Sequence, residues 1–182
     1  MIILASSSPR RKELLKQIVD EFIILVPNID ESIDRPQKVE EIPYELAYRK
    51  AKEISKSHYD DIVIGCDTIV AINNEVLEKP VDSNDAYRML NILNNNTHKV
   101  ISGVAIIYQD KEIRFIETSY VTFNNLNKQE ILDYIATKDP LDKAGAYGIQ
   151  NPYINLVKEL NGEYENVVGL PIKRIKRELD NL

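Results

Sequence analysis

Apolar positions along the chain fall into short runs rich in isoleucine and valine, separated by stretches where they recur every three or four residues. Ile2–Ala5 is such a run and reads as a short buried strand. Ser8 then offers an N-cap and Pro9 a first helical residue, and Leu14, Leu15, Ile18 and Val19 form the apolar stripe of the helix that follows. Residues 22–26 predict a second strand, and residues 27–39 a polar loop containing Asp30, Glu31, Asp34 and Pro36. Residues 43–57 predict a helix with Leu46, Ala47, Ala51 and Ile54 on one stripe, and the same spacing puts Lys50 at its buried edge.

Residues 62–65 and 69–72 are β-branched runs interrupted by Cys66-Asp67-Thr68, and Asn73-Asn74 predicts a hairpin turn into a strand over 75–77. Asp82 predicts the cap of a helix running to Leu93, with Asp85 as the capping-box acid. Two long strands, 99–108 and 113–123, meet at a polar turn over 109–111, the clearest hairpin in the chain. A helix over 128–137, a glycine-containing segment over 143–150, a short element over 156–160, an Asn161-Gly162 turn and a C-terminal helix opened by Pro171 complete the pattern.

With 182 residues, 43% of them hydrophobic, the chain is read as one domain over 1–182, large enough for a cleft between two lobes. A net charge of −6 argues against a nucleic-acid or anionic-membrane surface, which needs a broad basic field. One cysteine, Cys66, excludes an internal disulfide and a cysteine-based zinc site and suits a reducing compartment, so the expected location is the cytoplasm. No apolar run reaches membrane-spanning length.

Chemistry concentrates at a few positions. Arg10 and Arg11 stand in the first helical turn, where the macrodipole disfavours cations; with Ser8 and free backbone N–H groups they suit a polyphosphate, or they are two solvated arginines. Asp67 among β-branched neighbours is either a turn aspartate bonding its own backbone or a carboxylate presented for chemistry. Glu31, beside Asp30, is a second carboxylate for a divalent cation or a solvated loop acid. Lys50 and Lys79 could stabilise a leaving pyrophosphate; the alternatives are a snorkelling lysine and a loop lysine. His58 and His98 lack metal-ligand spacing and read as structural, and Cys66 as a small buried strand residue. Residues 145–150 match neither the Rossmann glycine pattern nor a P-loop, although Gln150 has the donor and acceptor to read a pyrimidine edge.

Seven stretches in order resemble the Maf family of nucleoside triphosphate pyrophosphatases: Leu4-Ala5-Ser6-Ser7-Ser8-Pro9-Arg10-Arg11, the helix with Leu46-Ala47 and Lys50-Ala51, Ile64-Gly65-Cys66-Asp67-Thr68, Glu78-Lys79-Pro80, His98-Lys99-Val100-Ile101-Ser102-Gly103-Val104, the segment from Asp142 to Gln150, and Val167-Val168-Gly169-Leu170-Pro171. The resemblance implies an α/β fold with a mixed central sheet, flanking helices and two lobes around a cleft, like the inosine triphosphate pyrophosphatases. It implies hydrolysis of a nucleoside triphosphate between its α and β phosphates, with a divalent cation, Mg²⁺ or Mn²⁺, held by Glu31 and Asp67. Asp67 matches the family's proton acceptor; Glu31, Lys50 and Lys79 match further active-site positions, and Ser8, Arg10 and Arg11 the phosphate-binding motif. Arg10, Thr68 and Gln150 occupy positions linked with base choice, in a combination similar to the dTTP and UTP branch; Arg11 is assigned to the phosphates alone.

Two departures from the family pattern are Cys66, where alanine is usual, and Asn151-Pro152 after Gln150, where glycine is usual; the second bears on substrate preference. A homodimer is also implied. Because the family is linked with inhibition of septum formation, the alternatives are a non-catalytic nucleotide sensor in cell division and a pyrophosphatase for modified nucleotides such as 7-methyl-GTP.

Overall fold

A computed structural model of the chain describes residues 1–33 and 38–182; Asp34 and Pro36 of the predicted loop lie outside the described residues. The strands form one open mixed sheet of seven in the order β2 (Ile23–Leu25), β1 (Ile2–Ala5), β3 (Ile62–Ile72), β5 (Thr97–Tyr108), β6 (Lys111–Phe123) and β7 (Val157–Asn161), with β4 (Glu75–Leu77) paired to β3. The residues group into two compact units, the first comprising Met1–Thr68, Ser102–Glu117 and Gly169–Leu182, the second Ile69–Ile101 and Thr118–Val168.

In the first unit, β1 (Ile2–Ala5) pairs in parallel with β2 (Ile23–Leu25) on one side and with β3 (Ile62–Ile72) on the other, Leu4 lying opposite Ile24 and Ile64. Parallel pairing requires crossover connections, which are α1 (Pro9–Leu15) between β1 and β2 and α2 (Glu41–Ser55) before β3. A strand with neighbours on both edges and both faces covered has no polar alternation, as Ile3, Leu4 and Ala5, all inaccessible to solvent, show. Pro43 sits inside the first turn of α2, where its missing N–H has no helical partner.

Small residues set the depth of α2. A Cβ on Gly65 of β3 would stand 2.2 Å from the Ala47 carbonyl oxygen and 2.7 Å from the Ala51 nitrogen; one on Gly103 of β5 would stand 2.0 Å from the Pro43 carbonyl oxygen. Helix backbone therefore lies directly on strand backbone, and Ala47, Ala51, Ile3, Val63, Ala105 and Ile107 fill the remaining space. Residues two apart share a strand face, so the close approach at Gly65 also brings α2 over Asp67. The unit closes with α6 (Ile172–Asp180), whose Arg174 lies 4.2 Å over the ring of Phe115.

In the second unit, β4 (Glu75–Leu77) folds back antiparallel on β3 through Asn73 and Asn74, both in the left-handed region at φ 52° and 62°, the geometry of a two-residue hairpin turn. The inner ends of β5 (Thr97–Tyr108) and β6 (Lys111–Phe123), with β7 (Val157–Asn161) antiparallel to β6, carry the helices α3 (Ser83–Leu93), α4 (Lys128–Ala136) and α5 (Tyr164–Val168). The core here includes Leu77, Leu90, Leu93, Phe123, Ile131 and Tyr134.

Several predicted elements change. The interruption expected at Cys66-Asp67-Thr68 is absent, and one strand of eleven residues runs through it, because the polar side chains find partners outside the strand. The Asp82 carboxylate caps α3 through the Asp85 N–H at 2.8 Å, but Asp85 reaches the Val81 N–H and not that of the cap, so the box is displaced by one residue. A complete box stands at Asn127 and Glu130 instead. The five-residue α5 and the 3₁₀ turns at Asp139–Asp142 and Ala144–Ala146 were not predicted.

Candidate active site

The segment from Ser6 to Arg11 folds around its serines. Ser6 Oγ accepts from the Ser8 N–H at 3.1 Å, and Ser8, as N-cap of α1, accepts from the Arg11 N–H at 3.4 Å. The Arg11 side chain is held by three oxygens: Nε donates to the Gly169 carbonyl at 2.9 Å, one terminal nitrogen to Thr68 Oγ1 at 3.1 Å and the other to Ser6 Oγ at 3.5 Å. These bonds offset part of the electrostatic cost of a cation in the first helical turn. Arg10 is half-buried and forms no hydrogen bond or ion pair with the described residues.

The second group is Glu31, Lys50 and Asp67. The Lys50 ammonium lies 2.7 Å from Asp67 Oδ1 and 3.0 Å from Glu31 Oε1. Lys50 and Asp67 side chains are only 11% and 15% exposed, so each offsets the cost of taking the other out of water, whereas Glu31 is 63% exposed and adds less. Arg49, the neighbour of Lys50 on α2, donates to the carbonyls of Asp30 at 3.2 Å and Ser32 at 2.8 Å and so ties down the loop that carries Glu31. The Asp30 carboxylate accepts from the Ser32 N–H, which holds its pKa below the usual carboxylate value; it faces the loop and not the site. Lys50 is thus the buried lysine its stripe predicted, and Asp67 is a mid-strand carboxylate paired to it.

A third group surrounds Thr68. Its hydroxyl contacts Arg11, Ser102 Oγ at 2.8 Å and the Gly169 carbonyl at 3.2 Å. The Gly169 carbonyl also accepts from Cys66 Sγ at 3.4 Å. Burial pushes the Cys66 thiol pKa up, away from nucleophile chemistry. Ser102, fully buried, and Gly169, in the left-handed region at φ 132°, are site residues that pattern reasoning passed over. Ser102 had a signal, a lone hydroxyl in an otherwise apolar run; Arg49 had none.

Lys79 and Gln150 belong to the second unit, and both are exposed. Lys79 follows Glu78, whose carbonyl accepts from the Gly145 N–H at 3.1 Å, so two of the seven matching stretches meet there. Gly145 has φ 70° and its Cα faces Val70, where a Cβ would stand 2.8 Å from a methyl. Tyr134 clamps the segment before Gln150: its hydroxyl donates to Asp139 Oδ2 at 2.6 Å and accepts from the Gly148 N–H at 3.1 Å. Burial, with the bond to Asp139, raises the Tyr134 pKa far enough to keep it a phenol. Asn151, one of the two departures, donates to the Gly148 carbonyl and accepts from the N–H groups of Tyr153 and Ile154, closing a turn directly after Gln150. His98 is buried, its Nε2 2.8 Å from the Tyr147 hydroxyl.

Among the described residues no three His, Cys, Asp or Glu side chains gather as a metal site. Glu31 and Asp67 are carboxylates of the type that magnesium or manganese takes, but the point on which they converge is filled by the Lys50 ammonium.

The profile of the family described as Maf-like protein matches residues 1–182. This chain belongs to that family. Among its curated relatives, a Bacillus cereus protein named dTTP/UTP pyrophosphatase is 47% identical over 178 residues, covering 98% of this chain and 93% of the relative. One of Geobacillus sp. (strain WCH70) with the same name is 46% identical over 181 residues, covering 100% and 97%. The fold is similar to a HAM1 protein from Coxiella burnetii (TM-score 0.55, 12% identity, covering 100% of this chain and 98% of that one) and to the Staphylococcus aureus Ham1 protein (TM-score 0.51, 15% identity, covering 99% and 98%). The Maf-like chain therefore has the Ham1-type sheet that the resemblance implied.

Proposed function

We propose that this Maf-like chain is a nucleoside triphosphate pyrophosphatase that hydrolyses dTTP and UTP to the monophosphate and pyrophosphate, clearing nucleotide pools. The observation that carries the reading is Asp67. One of its oxygens is held by Lys50 while Oδ2 has no hydrogen-bond partner among the described residues, the arrangement of an oriented base. Its Oδ2 takes a proton from water as the water oxygen bonds to the α phosphorus; the bond from that phosphorus to the α,β-bridging oxygen breaks, and pyrophosphate leaves. Lys50 and Arg10 offset the growing negative charge. A divalent cation, when bound by Glu31, Asp67 and phosphate oxygens, supplies further charge neutralisation. Lys79 and Gln150 keep the roles the resemblance implies, charge neutralisation and base choice.

The test is incubation of the purified protein with dTTP, UTP, CTP and 7-methyl-GTP, with magnesium or manganese, measuring pyrophosphate against orthophosphate. Pyrophosphate from dTTP and UTP is expected, with loss of at least about a hundredfold in Asp67→Asn. Orthophosphate release would sink the α,β cleavage, and tight binding without turnover would favour the nucleotide sensor. No helix among the described residues is long and apolar enough to cross a membrane. A cytoplasmic location and a homodimer belong to the same proposal.

A further inference from the structure

Gln150, to which the resemblance gives a part in base choice, is exposed, and its side-chain amide has no hydrogen-bond partner among the described residues. Such an amide discriminates between base edges only as well as its backbone is placed. That backbone is a turn over 148–151, closed by the Asn151 N–H donating to the Gly148 carbonyl at 3.1 Å. Side chains take both polar groups of Gly148 as well. Its N–H donates to the Tyr134 hydroxyl at 3.1 Å, and its carbonyl accepts from Asn151 Nδ2 at 3.0 Å.

The two side chains are themselves fixed. Tyr134 lies fully buried on α4, and its hydroxyl donates at 2.6 Å to Asp139, whose other carboxylate oxygen accepts from Lys143 at 3.0 Å. Asn151 Oδ1 accepts from the N–H groups of Tyr153 and Ile154, both at 3.0 Å, which occupies the oxygen and leaves the amide nitrogen for Gly148. Pro152 disfavours helical backbone at Asn151, and Ile149 and Ile154 pack against the core of the second unit on either side of the turn. Glycine, usual in the family at 151, could make none of these side-chain bonds. We infer that Asn151 and Tyr134 are positioning residues that grip Gly148 from its two polar ends and so fix the turn from which Gln150 reads the base. The inference rests on the proposed function in taking Gln150 as the reader of a pyrimidine edge.

Affinities for α,β-imido-UTP and α,β-imido-CTP, which resist cleavage between the α and β phosphates, are measured by calorimetry, with inorganic tripolyphosphate as a ligand that has no base. The proteins are wild type, Asn151→Ala, Asn151→Asp, Tyr134→Phe, Gln150→Ala and the double variant of Asn151→Ala with Gln150→Ala, and pyrophosphate release from UTP is followed alongside. The wild type is expected to prefer the uridine analogue. Asn151→Ala lowers that preference about three- to tenfold, and so does Asn151→Asp, which keeps the acceptor for Tyr153 and Ile154 but lacks the N–H that reaches Gly148. Tyr134→Phe lowers it in the same sense, while tripolyphosphate affinity stays within about twofold throughout. With Gln150→Ala already in place, Asn151→Ala changes the preference by less than about twofold, because the group it positions is gone. Wild-type preference in both Asn151→Ala and Asn151→Asp would overturn the inference, as would an undiminished effect of Asn151→Ala without Gln150, or a wild type that binds both analogues alike. Absence of pyrophosphate release from UTP, with the analogue preference present, would strike the proposed function alone.

Discussion

Replacing Lys50 by methionine keeps the length of the buried stem and removes the ammonium that joins Asp67 to Glu31. Breaking a buried ion pair from one side costs about 3–5 kcal/mol, because the remaining charge stays desolvated. Asp67 keeps 15% side-chain exposure, which places the cost near the lower figure, and the well-exposed Glu31 contact adds less than about 1 kcal/mol. A loss of about 3 kcal/mol corresponds to a fall in melting temperature of about 6–12 °C for a chain of this size. The chain has no tryptophan, so unfolding is followed by circular dichroism in urea. In the Asp67→Asn background, where no charge is orphaned, the same replacement should cost only about 1 kcal/mol, a coupling of about 2 kcal/mol. A coupling below about 0.5 kcal/mol would refute the claim that Lys50 on α2 and Asp67 on β3 stabilise one another.

Three other outcomes follow from the packing. Gly65→Ala drives a methyl into the backbone of α2 and is expected to cost about 3 kcal/mol or more in thermal denaturation, whereas Gly148→Ala, which meets the flexible Lys143 side chain, costs under about 1 kcal/mol. Tyr134→Phe leaves Asp139 and the Gly148 N–H without their shared hydroxyl and should destabilise by about 1–2 kcal/mol in urea, with no effect beyond about 0.5 kcal/mol if the hydroxyl is dispensable. Burial lowers the His98 pKa from 6.5 to about 4, so between those values the unfolded chain binds a proton that the native one does not. The stability His98 contributes is therefore complete above about pH 6.5 and lost as pH falls toward about 4; from pH 7 to about 4.5 the wild type should lose about 2 kcal/mol more than His98→Gln, and parallel profiles would remove the assignment.

Local pattern made β1, the body of α2, the Asn73-Asn74 hairpin and the paired strands β5 and β6 legible, because each carries its signal within a few residues. The burial of Lys50 was legible for the same reason. Continuity of β3 through Cys66-Asp67-Thr68 was not, since it depends on Lys50, seventeen residues away, and on Arg11 and Gly169, further still. Arg11 divides the two cases in one residue: its conflict with the helix dipole could be read from its neighbours, but the Gly169 carbonyl that answers it lies 158 positions along the chain. The turn around Gly145 escaped because Ala146 adopts φ 57°, a conformation that alanine does not advertise.

The fully buried Cys66 thiol, bonded to the same carbonyl that holds Arg11 and Thr68, turns the lone cysteine into a native clock. A thiol reagent can reach it only when that frame parts. The labelling rate of the folded protein therefore counts how often that frame opens, without any engineered probe.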